Sequence, residues 1–167
     1  MTVFSGCITP ATGVVKNESR ISIGNPIDHN LALVETSSSI TNANDEIKLM
    51  DAMVISGLQV AQKFGRVSGN IDAPNLSSGI KIYVDIKELY GVSNSERENL
   101  VKYVGPIFYG LPGQARILVR VTLSDIKSGN QIQTFEVEGE SSTANATDQA
   151  VQKAAEQVVA EVVKIIR

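Results

Sequence analysis

Residues 116 to 140 constrain this chain more than any other stretch. Ile117, Val119, Val121 and Leu123 alternate with polar residues, Lys127-Ser128-Gly129-Asn130 breaks the pattern, and Phe135 and Val137 resume it. Alternation at period two marks a strand with one buried face, so the segment predicts an antiparallel hairpin. Both apolar sets are odd-numbered, and keeping them on one face calls for an odd-length loop centred on Gly129. That register sets Val121 opposite Val137, Leu123 opposite Phe135 and Arg120 opposite Glu138. Glu136, Glu138 and Glu140 then share the outer face with Arg116 and Arg120 as a solvated charge ladder, not as a calcium or acid–base site. A cross-strand ion pair there contributes about 0.5 kcal/mol and selects register more than it stabilises.

The hairpin needs partners to cover its apolar face, and the flanking sequence supplies them. Ile80, Ile82, Val84 and Ile86 alternate through Ile80–Lys87, predicting a half-buried strand, and Leu31–Glu35 predicts a shorter one. From Asn44 to Phe64, Ile47, Met50, Val54, Leu58 and Ala61 recur at steps of three and four, the period of a helix with one buried face. Asn42 or Asn44 is placed to cap it, Asp45 and Glu46 suit its positive end, and Gly65 follows as a stop. From Asn145 to Arg167, Val151, Ala154, Ala155, Val158, Val159, Val162, Val163 and Ile166 form a second helical stripe, with Asn145 or Thr147 as its cap. Ala154 and Ala155 allow close approach to a sheet or helix. Tyr90 to Gly113 reads as a long connection. This order predicts an α+β fold, an antiparallel or mixed β-sheet with two helices packed on one face.

Composition narrows the function classes. Hydrophobic residues make up 43% of 167 residues and charged ones 20%, with a net charge of −3, which describes a chain able to bury a core. No run of Lys or Arg builds the basic face that nucleic acid requires. One cysteine excludes an internal disulfide and a Cys-based zinc site. The single histidine, His29, lies in the polar stretch Asn25–Asn30 and reads as a loop residue. No Gly-x-x-x-x-Gly-Lys loop, Gly-x-Ser-x-Gly elbow or His-Glu-x-x-His run occurs. Asp85 and Glu88 leave their strand near its end without an evident partner. The expectation is therefore no catalytic residue, no metal and no cofactor.

The lone cysteine, Cys7, carries the address. It ends the run Val3-Phe4-Ser5-Gly6-Cys7, and the small Ser5 and Gly6 provide the extended, uncrowded segment that a signal peptidase cuts. Residues 1–7 read as a residual signal peptide with its lipobox, although Phe4 stands where Leu is usual. Acylation would hold the chain on a membrane, each buried methylene contributing about 0.8 kcal/mol. Residues 8–20, rich in Thr, Ala, Gly, Asn and Ser, read as a flexible tether, and residues 21–167 as a single α+β domain. The absence of Asp at Ile8 suits an outer-membrane lipoprotein facing the periplasm.

Ile80–Asp85, Ala115–Asn130, Phe135–Ser142 and Ala150–Ala155 follow the pattern strand, Asp-x-x-Ser-Gly turn, strand, Gly-x-Ser, helix with paired alanines. In this the chain resembles an uncharacterised domain family of bacterial envelope lipoproteins. It is also loosely similar to small α+β lipoprotein modules of secretion channels and wall-synthase activators. The resemblance implies a small periplasm-facing α+β domain of unknown biochemical role. The first functional expectation is a non-catalytic, lipid-anchored envelope module that acts through protein contacts, with an envelope partner or further copies of itself. The alternative is a periplasmic small-ligand-binding protein whose aromatic pocket draws on Tyr83, Tyr90, Tyr103, Phe108 and Tyr109. The same five rings are the candidate partner contacts.

Overall fold

The computed structural model describes residues 11–20, 30–69, 78–91, 115–142 and 147–166. In chain order these form β1 (Thr12–Arg20), β2 (Leu31–Ser38), α1 (Asn44–Ala61), β3 (Arg66–Gly69), β4 (Ile80–Tyr90), β5 (Arg116–Asp125), β6 (Gln131–Glu140) and α2 (Thr147–Ile165). One mixed sheet runs β1-β6-β5-β4-β2-β3. β2 is parallel to β3 and β4, and the other pairs are antiparallel. Both helices cover one face, α1 over β2 and β3 and α2 over β1, β6 and β5, and they pack on each other. The fold is α+β.

The core is where the alternation predicts it. Ile80, Ile82, Val84 and Ile86 of β4, Ile117, Val119, Val121 and Leu123 of β5, and Phe135 and Val137 of β6 are all buried. They meet Met50, Val54 and Leu58 of α1 and Val151, Ala154, Val158 and Val162 of α2. Two glycines let the layers close. A Cβ at Gly139 would stand 2.2 Å from the Ala150 carbonyl oxygen and 2.7 Å from the Ala154 nitrogen. One at Gly13 would stand 2.5 Å from the Lys153 carbonyl oxygen. The backbone of α2 therefore rests almost directly on β6 and β1.

Several details depart from the sequence expectation. The hairpin keeps its parity but not its register, for Val121 faces Phe135, Val119 faces Val137 and Arg120 faces Glu136. The ladder shifts between Leu123 and Ser124, where Leu123 pairs with Gln133 and Ser124 with Gln131. Ile132 is thus an extra residue, a β-bulge. The bulge supplies the odd residue that the loop was expected to supply. Asp125 and Asn130 close the loop through an Asp125 N–H to Asn130 carbonyl bond of 2.9 Å, and the Asp125 carboxylate accepts from the Ser128 N–H at 2.7 Å. Gly129 takes the left-handed conformation at φ 71°.

Residues 12–20, expected within a flexible tether, instead form β1, an edge strand paired to β6. Its side toward the helices carries Gly13 and Val15, so little apolar signal advertises it. β3 leaves no mark in the sequence either: four residues, Arg66-Val67-Ser68-Gly69, are too few to show alternation. It turns β2, α1 and β3 into a βαβ unit. Finally, α1 stops at Ala61 because Gln62 is left-handed at φ 51°, which turns Phe64 into the core. Its start has Ala43 at the capping position with no side-chain cap, in place of Asn42 or Asn44. Thr147 opens α2 and donates its hydroxyl to Glu46 of α1 at 3.3 Å. Cys7, Ile21–His29, Tyr103, Phe108, Tyr109 and Asn145 lie outside the described residues.

Candidate interaction face

The sheet face opposite the helices carries Leu33, Leu118 and Val14 among mostly polar side chains, and these side chains fall into cross-strand rows. One row runs Glu35, Tyr83, Thr122, Thr134 across β2, β4, β5 and β6, and the next runs Ser37, Asp85, Arg120, Glu136. Nearly every group in them is paired within the face. Arg120 donates to Glu136 through Nε at 3.1 Å and Nη2 at 2.8 Å. Lys81 bridges to Glu35 at 2.5 Å, Asp85 pairs with Lys87, and Ser37 shares a 2.5 Å hydrogen bond with the Tyr83 hydroxyl. The Lys81 ammonium also lies 5.7 Å from the centre of the Tyr83 ring, within cation–π reach.

The charge ladder is partly sunk. Glu138, expected to be solvated, has a side chain only 7% exposed, held between Lys16 of β1 at 3.2 Å and Arg116 of β5. β1 causes this, because a strand placed beside β6 converts an open flank into a walled slot. Burial alone would raise the Glu138 carboxyl. The hydrogen bonds from Arg116 and Lys16 together outweigh it and hold the group below the usual carboxylate range. This triad ties three strands together. A neighbouring depression of about 590 Å³ is lined by Arg120, Thr122, Thr134, Glu136, Gln131 and Glu18, along with Phe135. Its lining is hydrogen-bonding and charged, with no tyrosine.

Of the candidate aromatic residues, the two that are described, Tyr83 and Tyr90, stand apart. Tyr83 is half-buried in mid-strand, whereas Tyr90 is 56% exposed seven residues on, at the far end of β4 and about 23 Å along it. Asp85, which has no evident partner in the sequence, is engaged by Lys87. Among the described residues no three His, Cys, Asp or Glu side chains converge as metal ligands, and no helix is long and apolar enough to cross a membrane. On the helix face Asp51 is raised by burial, with the Thr36 hydroxyl donating to it at 3.1 Å and opposing that rise. It stands apart from the polar rows. The Lys16–Glu138–Arg116 triad was not legible beforehand, because Lys16 fell in the expected tether.

No protein-family model matches the sequence, and no curated protein matches it either. Solved structures match it by shape. PelC from Paraburkholderia phytofirmans, solved as a dodecamer, superposes with a TM-score of 0.59 at 12% identity, covering 89% of this chain and 95% of that one. This chain shares the PelC fold. A PelC variant, also a dodecamer, gives 0.60 with the same shares and identity. A Xanthomonas campestris protein of the DUF330 family gives 0.53 at 13% identity, over 86% of this chain and 87% of that one. At such identity the likeness to PelC is one of architecture, and it extends over nearly the whole of both chains. The small α+β build that the lipoprotein resemblance implied is the build found.

Proposed function

We propose that this protein is a lipid-anchored module of the bacterial cell envelope that acts through protein contacts, not catalysis, and assembles with copies of itself. The observation that carries the reading is the match of 89% of the chain to the fold of PelC, a protein solved as a dodecamer. Two features of the surface support it. The sheet face opposite the helices ties its charges into cross-strand pairs such as Arg120–Glu136 and Lys81–Glu35, which suits a docking surface. The long edge strand β1, with Thr12, Val14, Lys16 and Glu18 exposed, offers backbone groups to a neighbour.

Cys7 is the attachment point in this reading, acylated and facing the periplasm from the outer membrane. Tyr83, with Tyr103, Phe108 and Tyr109, supplies the partner contacts. Sedimentation velocity of the detergent-extracted protein, with the intact mass of the same sample, tests both halves. A discrete oligomer carrying an acylated mass beginning at Cys7 is expected. A monomer at all concentrations overturns the assembly half, and an unmodified thiol overturns the anchor.

A further inference from the structure

We infer that one end of the sheet lies against the lipid surface, with Tyr90 and Val14 as its contacts; this rests on acylation at Cys7. The register shows which end. Thr12 pairs with Glu140, Glu140 with Arg116, and Arg116 with Tyr90, so four strands present their ends in a single row. Only Ile8, Thr9, Pro10 and Ala11 separate Cys7 from Thr12. Five Cα-to-Cα steps span at most about 18 Å. Residues 12–20, expected within the flexible tether, are committed to the sheet, so an acyl chain on Cys7 brings this row close to the headgroups.

The second observation is independent of the cysteine. Among the described residues the exposed large hydrophobics are Val14, Val60 and Tyr90. Two of the three, Tyr90 at 56% and Val14 at 50%, lie at this end, in or beside the row. Tyrosine, with an apolar ring and a polar tip, is favoured where one side of a residue meets lipid and the other meets water. The contact is interfacial and not electrostatic, because Lys16 and Arg116 are offset by Glu138, Glu88 and Glu140 around them.

The test is lipid quenching of a fluorophore on the anchored protein. With Cys7 acylated, as its intact mass verifies, Tyr90→Cys carries the only free thiol. Lys127→Cys, in the β5–β6 turn, places the label at the opposite end, about 30 Å away along ten-residue β5. On phosphatidylethanolamine–phosphatidylglycerol vesicles containing nitroxide-labelled lipid, the label at position 90 loses most of its fluorescence and the label at 127 keeps it. Val14→Cys reads the same end if the Tyr90 variant does not fold. Acylated protein quenched equally at both ends, more at 127, or at neither overturns this orientation alone. An unacylated mass overturns the anchoring reading and the orientation with it.

Discussion

On one side of β6, Phe135, Val137 and Gly139 lie under α2, while on the other Glu136 and Glu138 lie between strands with Arg120, Arg116 and Lys16 for company. Both sides are largely closed to water, yet they are closed by different means. The helix side excludes water by contact, so its residues are held by volume and shape. The other side is closed in part by neighbouring strands, and its residues are held by charge. A substitution on the first side should act through steric fit at any pH, and one on the second through ionisation.

The largest effect that would break this contrast is expected at Phe135. Phe135→Ala should cost about 3–5 kcal/mol by leaving a cavity beneath α2, read as a fall in the urea midpoint. Gly139→Ala follows at about 2–3 kcal/mol, because its new Cβ meets helix backbone at 2.2 Å and neither layer can yield cheaply. A native-like midpoint for either variant would mean that α2 does not rest on β6 as described. Next is Glu138→Gln, about 1–2 kcal/mol at neutral pH from losing charge-assisted bonds in a slot. The sign of its pH dependence follows from the shift. Glu138 titrates below the unfolded value of about 4.5, so its stabilisation is complete above that pH and is lost as pH falls through the folded value. Wild type and Glu138→Gln should therefore converge on acidification, whereas Phe135→Ala should stay separate from wild type throughout. The smallest effect sharpens the comparison within the charged side. Arg120→Ala removes a pair whose arginine is 51% exposed and should change stability by no more than about 0.5 kcal/mol, diminishing further in salt.

The same contrast explains what could be read in advance. Volume leaves a periodic trace in sequence. The alternation of Ile80 to Ile86 and Ile117 to Leu123, and the stripe from Val151 to Val162, predicted two strands, one helix and a shared buried face, and the core is built from those residues. Charge leaves no such trace, because Glu138 reads identically whether a strand or water lies beside it. Its partner Lys16 sits in β1, whose polar edge sequence passed for a tether. The register error has a similar root. Parity was legible, since it follows from which residues must be buried, but the extra residue could sit in the loop or in the strand. It sits at Ile132, where the bulge brings both Ile132 and Gln133 to buried positions.

By itself, then, the sequence determined the α+β layering, the faces of the central strands and helices, and the single thiol that could carry a lipid. These follow from local periodicity and composition, which act through near neighbours in the chain. Only the tertiary structure decided the strand order, the place of β1 and β3, the burial of Glu138, and the row that joins Thr12 to Tyr90. Each of these depends on residues distant in sequence meeting across the sheet. The pairing of β1 with β6 joins positions more than a hundred residues apart, as in the 2.6 Å bond from Gln133 to Glu18, and no local pattern encodes such a meeting.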